Sequence, residues 1–192
     1  LLLSKKYKEA DALLTKLNII PVEGATGGRE MFREAKLMQA VRLMEKKDYS
    51  GALKFIKQAE LWPENLGVGK PYEEDIDMRL ENWMSYQCLT GLKKTIEAKE
   101  KLEMVVEFSP RVENTVRNFL PSNAIITAWT YEKLGRKDEG VKWLNGQIEA
   151  FPGSKLIKWS KAVFTNDTDF VLNEGDMDAN ARIIESLMKQ GI

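Results

Sequence analysis

A spacing from a small residue to a proline recurs four times along the chain and constrains its fold more than any other feature. The four copies run from Ala10 to Pro21, Ala52 to Pro63, Ala98 to Pro110 and Gly140 to Pro152. In the first three copies the positions four and seven residues after the alanine are apolar, so they share one face of a helix with it. Gln147 breaks this stripe in the fourth copy. Proline cannot continue a helix, so the spacing predicts four amphipathic helices, each ended by its proline.

A second set of helical stretches precedes the last three copies. These stretches, at residues 29–46, 75–90 and 121–134, carry apolar residues on more than one face, which predicts helices packed on two sides. No sustained alternation typical of strands occurs. The pattern predicts an all-α fold of antiparallel helix pairs. The predicted units are at about 1–21, 28–63, 75–110 and 121–152.

Two further helices are predicted after the last repeat, at 153–166 and 176–190, with a polar linker between them. An array of helix pairs leaves an apolar face at its end, which a terminal element must cover. We therefore expect these helices to form a C-terminal cap.

Charge and composition narrow the classes of function. The 192 residues carry 29 basic and 29 acidic side chains and no histidine. This balance gives no field that would attract nucleic acid, and no apolar run reaches the ~20 residues of a membrane span. The lack of histidine removes the commonest general base and metal ligand. We expect a protein that is not an enzyme, holds no metal or cofactor, and neither binds nucleic acid nor inserts into a membrane.

The fourth copy of the repeat and the residues just before it are similar to a known repeat signature. The segment Tyr131-Glu-Lys-Leu-Gly135, followed by Gly140 and Pro152, resembles the tetratricopeptide repeat family. This resemblance implies a right-handed α-α superhelix. The period differs, because the small residues at 10, 52, 98 and 140 lie 42 to 46 apart, against about 34 in the family. Longer loops between repeats would explain the difference, and a HEAT-like array is the alternative.

A more specific resemblance lies in Trp62-Pro-Glu-Asn-Leu-Gly-Val-Gly-Lys-Pro-Tyr72 and in the following residues 75–83. This stretch resembles the repeat region of large bacterial proteins of the Bacteroidetes type. In those proteins a β-sandwich like that of sugar enzymes precedes a tetratricopeptide array. The resemblance implies a bacterial protein of the cytoplasm or periplasm and places no active site in this chain.

The Trp62–Tyr72 connection supplies the first group of candidate binding residues. It is not a phosphate-binding loop, because the residue after Lys70 is a proline where a hydroxyl is needed. Two interpretations remain, packing between helix pairs and contact with a partner. The candidates for partner contact are Trp62, Asn65, Lys70 and Tyr72.

The second group comes from the tetratricopeptide resemblance, which implies that first-helix residues line an inner groove. The residues that this alignment places there, together with Ile125, are Trp83, Gln87, Ser122, Trp129 and Glu132. Aromatic side chains beside polar groups can anchor a peptide or helix. Each tryptophan is also explained by packing in the core.

These features predict a protein-interaction scaffold that forms the helical-repeat region of a larger protein. Its partner is a protein or peptide, which includes another domain of the same chain. The alternative, carried by resemblance, is an accessory domain that packs on and shapes a carbohydrate-active domain. A carboxylate-only glycosidase comes last, because no pair of acids is singled out by its spacing.

Overall fold

The computed structural model describes residues 1–21, 25–109, 120–167 and 169–191. The regular structure in these ranges is helical, and they contain no β-strand, which confirms the all-α prediction for them. The α-helices are α1 Tyr7–Leu14, α2 Gly27–Glu45, α3 Tyr49–Ala59, α4 Arg79–Gly91, α5 Thr95–Phe108, α6 Ala124–Lys133, α7 Lys137–Ala150, α8 Lys155–Thr165 and α9 Ala179–Met188. Short 3-10 turns lie at Glu64–Leu66, Glu73–Asp75, Pro121–Asn123 and Glu174–Asp176. None of the described helices is long and apolar enough to cross a lipid bilayer.

Three helix hairpins form the body of the molecule. Helix α2 packs on α3, α4 on α5 and α6 on α7, and neighbouring hairpins meet where α3 packs on α4 and α5 on α6. Each hairpin turn is three residues long, and so short a connection makes the two helices antiparallel. The predicted helix pairs are therefore present, each built from neighbouring segments of chain.

The turns before α1, α3, α5 and α7 share one left-handed residue at a fixed place. A backbone φ between 57° and 75° occurs five residues before each small residue of the repeat, at Lys5, Lys47, Lys93 and Gly135. In each turn the next amide donates back to the carbonyl five residues earlier, as Asp48 does to Leu43 at 2.9 Å. This bond satisfies a carbonyl that the helix end leaves free. The repeat in the sequence is thus a repeat of turn geometry.

The small residue of each copy lies buried at a contact between helices. At Gly140 the two helices lie so close that a Cβ would be 2.9 Å from the Ala128 carbonyl oxygen. The helices end further before their prolines than predicted. Helix α3 ends four residues before Pro63 and α7 ends two before Pro152, while Pro110 lies outside the described residues.

Helix α1 ends well before Pro21, so its proline does not stop it. The carbonyls of Leu14 and Leu17 accept hydrogen bonds from the side-chain amide of Asn65, at 3.0 and 2.7 Å. The amide of Ile19 then donates to the carbonyl of Asn65 at 2.8 Å. Asn65 therefore binds a carbonyl at the end of α1 and fixes the segment of chain that follows the helix.

The two C-terminal helices have different neighbours. Helix α8 packs on α6 and α7 and so continues the array at its C-terminal end. Helix α9 packs instead on α2, the first helix of the first hairpin, and on the Pro121–Asn123 turn. The apolar stripe of α9 (Ala181, Ile183, Ile184 and Leu187) is buried in the main core with residues of α2, α4 and α6. The helix predicted at 176–190 was expected to cover the C-terminal end of the array. It packs on the first hairpin instead.

Candidate functional site

Two of the predicted groove residues lie at the main core. Trp83 is only 3 % exposed, and its ring stacks on that of Trp129 with centroids 5.7 Å apart and an angle of 27° between the planes. Trp83 belongs to the core that also contains the apolar stripe of α9, and the partly buried Trp129 packs against this core. The structure therefore brings these two candidates together, with Trp83 inside the protein rather than on a free surface.

The remaining groove candidates are separated from each other. Ser122 is fully buried and donates to both carboxylate oxygens of Asp178, at 2.8 and 2.9 Å. Gln87 is partly buried, and its side-chain oxygen has no hydrogen-bond partner in the part of the chain that the structure describes. Glu132 is exposed and forms an ion pair of 2.9 Å with Lys137. The five predicted groove residues thus do not share one accessible surface.

A buried network of charged and polar side chains fixes α9 in this position. The Arg33 guanidinium on α2 donates to both oxygens of Glu81 on α4, at 2.5 and 2.8 Å, and also to the Asn180 side-chain oxygen on α9. Asn180 in turn donates to the side-chain oxygen of Asn123 at 2.7 Å. Burial opposes the charge on Arg33, but the Glu81 carboxylate outweighs it and raises the pKa of Arg33. The network joins three helices and the turn before α6.

A second buried pair lies beside the first. Arg79, which is completely buried, donates from Nε and Nη2 to the two oxygens of Asp77 at 2.9 and 2.7 Å. It also donates to Thr127 on α6 at 3.1 Å. Burial favours the neutral acid, but Arg79 outweighs this effect and holds the pKa of Asp77 below its ordinary value. The acidic run 73–77 therefore lies just before α4, with Asp77 held in a buried ion pair.

A pocket of about 360 Å³ opens where the amino-terminal ends of α2, α4 and α9 meet. Its walls include Arg29 of α2, Trp62 of the long connection, Asp77 before α4, and Asp178 and Asn180 of α9. Asp178 caps α9 by accepting a hydrogen bond of 2.7 Å from the amide of Ala181. Helix α2 has no such side-chain cap, so its first amide groups remain a source of partial positive charge.

Arg29 differs from the paired arginines of the core. It is 4 % exposed, and its guanidinium carbon lies 4.8 Å from the centre of the Trp62 ring. Within the described part of the chain it forms no side-chain hydrogen bond and no ion pair, and its Nε is enclosed without a partner. Burial, reinforced by the neighbouring Arg33, lowers the pKa of Arg29 to about 10. A buried cation without a carboxylate partner is costly.

The four candidates of the long connection separate into packing and surface roles. Trp62 lines the pocket, and its indole nitrogen has no hydrogen-bond partner among the described residues. Asn65 holds the end of α1, as described above. Lys70 is exposed and pairs with Glu73 at 2.8 Å, and Tyr72 is 77 % exposed. Packing therefore accounts for Trp62 and Asn65, and partner contact by Lys70 and Tyr72 stays a prediction.

The sequence did not single out Arg29, Asp77 or Asn180. A signal existed for Arg29 and Arg33, which lie eight and four residues before Leu37 and so continue its buried stripe along α2. Charged residues in line with an apolar stripe need partners or a ligand. What the pocket offers to a ligand is mainly hydrogen-bond donors, from the guanidinium of Arg29. Among the described residues no acidic or cysteine side chains are grouped to hold a metal ion.

Comparison with protein-family models, curated proteins and solved structures gives no match. The tetratricopeptide resemblance therefore stays a prediction, and the site must be interpreted from its own geometry.

Proposed function

We propose that this chain is a protein-interaction scaffold, a helical-repeat region of the tetratricopeptide type with its hairpins in a right-handed superhelix. It holds a protein or peptide partner, which includes another domain of the same chain. The observation that supports this proposal is the pocket at the amino-terminal ends of α2, α4 and α9, in whose wall Arg29 lies against Trp62. Arginine and tryptophan are the side chains most enriched among the residues that dominate binding energy.

The place of binding follows from what α9 covers. Since the apolar stripe of α9 is buried in the main core, we place the partner at the edge where Trp62 and the long connection lie. A volume of about 360 Å³ accommodates one or two side chains of a peptide. Tyr72, on the same connection, adds an exposed aromatic ring that has no packing role. A partner segment anchored at one pocket and one aromatic residue would bind with modest affinity.

The proposal is tested by selecting peptides from a random display library on the immobilised chain. Selected peptides are then titrated in solution by fluorescence anisotropy. We expect binding that weakens about tenfold or more in Trp62→Ala, which corresponds to about 1.4 kcal/mol. Tyr72→Ala provides a second variant whose exposed position leaves the fold intact.

The matched control is Ile96→Ala, which removes an exposed apolar side chain from α5, away from the pocket. Circular dichroism confirms that each variant is folded. If no selected peptide binds in solution, or if all three variants bind equally well, the scaffold proposal at this edge is wrong.

A further inference from the structure

The pocket contains more donors than the protein itself uses. Arg33 and Arg79 are each held by a carboxylate that receives two of their nitrogens. Arg29 lines the same pocket and has no such carboxylate among the described residues. Trp62, whose ring lies under the Arg29 guanidinium, has an indole nitrogen that is enclosed and has no partner among the described residues, so the guanidinium is the donor that a ligand meets. A ligand that complements this corner must bring an acceptor, and a negative charge would offset that of Arg29.

The acidic side chains around the pocket are already engaged. Asp77 accepts from Arg79, and Asp178 accepts from Ser122 and from its own helix end. Glu30 accepts from the hydroxyl of Thr26 at 2.8 Å. They leave Arg29 unpaired, but their charges disfavour a ligand with two negative charges, such as a phosphate. The local charge thus selects a single negative charge.

The geometry of the Arg29 guanidinium favours one kind of anionic group on the ligand. The Nε of Arg29 is enclosed, so only the terminal nitrogens of the guanidinium can meet a ligand. Two parallel N–H groups match the two oxygens of a carboxylate. The uncapped start of α2 next to Arg29 adds partial positive charge on the same side.

We infer that this pocket is a carboxylate-binding site, in which Arg29 over Trp62 receives a carboxylate of the partner end-on. The inference rests on the proposed scaffold function and names what the scaffold recognises. The carboxylate belongs either to an Asp or Glu side chain or to the C-terminus of a peptide, which share this chemistry.

The test uses N-acetylglutamate as the probe and N-acetylglutamine as its neutral counterpart. Titration of the whole chain is followed by the NMR signals of the tryptophan indole and arginine Nε groups. We expect saturable shifts of the Trp62 and Arg29 signals with the acid only. Arg29→Met removes the response, and Arg136→Met, which changes an exposed arginine, leaves it intact. Equal shifts with acid and amide, or shifts with chloride that match those of the acid, would overturn the inference.

Thermal stability gives a second measurement that does not depend on peptides. Since Arg29 is buried without a carboxylate partner, Arg29→Met should raise Tm by about 2–4 °C in the absence of ligand. The acid should raise the Tm of the wild-type chain and leave that of Arg29→Met unchanged. A fall in Tm on Arg29→Met, together with no effect of the acid on the wild type, assigns a packing role to Arg29 and overturns the inference.

Two peptide arms separate the two sources of the carboxylate and the two proposals. One peptide carries an internal Glu and an amidated C-terminus, and the other has a free C-terminus and no acidic side chain. Binding of either one through Arg29 supports the inference and identifies the source. If selected peptides bind equally well to wild type and Arg29→Met, the scaffold stands and the carboxylate site is wrong. If N-acetylglutamate binds and no peptide does, the site stands and the scaffold is wrong.

Discussion

Replacing Arg33 by methionine tests the buried network that holds α9. Glu81 is fully buried, and both of its oxygens accept from Arg33. Arg33→Met keeps the volume of the side chain and leaves that carboxylate without a partner among the described residues. Removing one member of a buried ion pair costs about 3–5 kcal/mol, and the lost donor to Asn180 adds about 1 kcal/mol. We expect the free energy of unfolding to fall by about 4–6 kcal/mol, a large share of the roughly 5–15 kcal/mol of a typical domain.

Urea unfolding measures this loss, with tryptophan fluorescence as the readout. The stacked pair Trp83 and Trp129 lies in the same core as α9 and reports on its detachment. The double variant Arg33→Met with Glu81→Leu replaces the ion pair by two apolar side chains and should recover most of the stability. A double-mutant cycle then gives an interaction energy of at least about 2 kcal/mol.

An exposed pair with the same geometry provides the control. Arg136 donates to both oxygens of Glu139 at 2.6 Å, but both side chains face solvent. Arg136→Met should leave the unfolding midpoint unchanged, since solvent already stabilises both charges. If Arg33→Met unfolds at the same urea concentration as wild type, or if the double variant is no more stable than the single one, the network does not hold α9 as described.

Three further predictions concern packing, the single thiol and acid stability. Gly140→Ala should lose about 1–3 kcal/mol because its Cβ would lie 2.9 Å from a carbonyl oxygen; Gly146→Ala, in the same helix with nothing within 4 Å, should gain up to ~1 kcal/mol. If thermal melts show that the Tm of both variants shifts in the same direction, this explanation is wrong. Burial raises the pKa of Cys88 to about 12, so an aromatic disulfide reagent at pH 8 should react only after urea unfolds the chain. Prompt reaction of the folded protein would show that this thiol is accessible. Because the pKa of Asp77 lies below its ordinary 3.8, its contribution to stability is present above about pH 4 and is lost as pH falls through the folded value. Urea midpoints from pH 7 to pH 3 should therefore decline less steeply in Asp77→Asn than in wild type, and equal slopes would exclude this role.

The repeat could be predicted from the sequence because it is local. The spacing of Ala52, Ala98 and Gly140 reflects helix faces and turns that short segments determine by themselves. The left-handed turn residue is recognisable at Gly135 but not at Lys47 or Lys93, where the backbone adopts a glycine-like conformation without glycine. The helix end at Leu14 could not be predicted, because the group that satisfies its carbonyl belongs to Asn65, 51 residues away.

The position of α9 could not be predicted for a related reason. Periodicity shows which face of a helix is apolar, but it does not show which surface covers that face. This choice depends on pairs such as Arg33 with Asn180, which are 147 residues apart. A single sequence contains no record of such pairings. Trp83 was therefore predicted on a groove surface, although it lies in the core that also contains the stripe of this helix.

The contact between α9 and α2 also has a consequence for synthesis on the ribosome. In an open array each hairpin rests only on its neighbours, so the chain can consolidate in order as it emerges. Here the first hairpin also depends on α9, where Asn180 accepts a hydrogen bond from Arg33 and Arg182 pairs with Glu34. The nascent chain must therefore keep these arginine and glutamate side chains hydrated until α9 has left the exit tunnel. Emergence of α9, rather than formation of each hairpin, is then the event that commits this region to its native state.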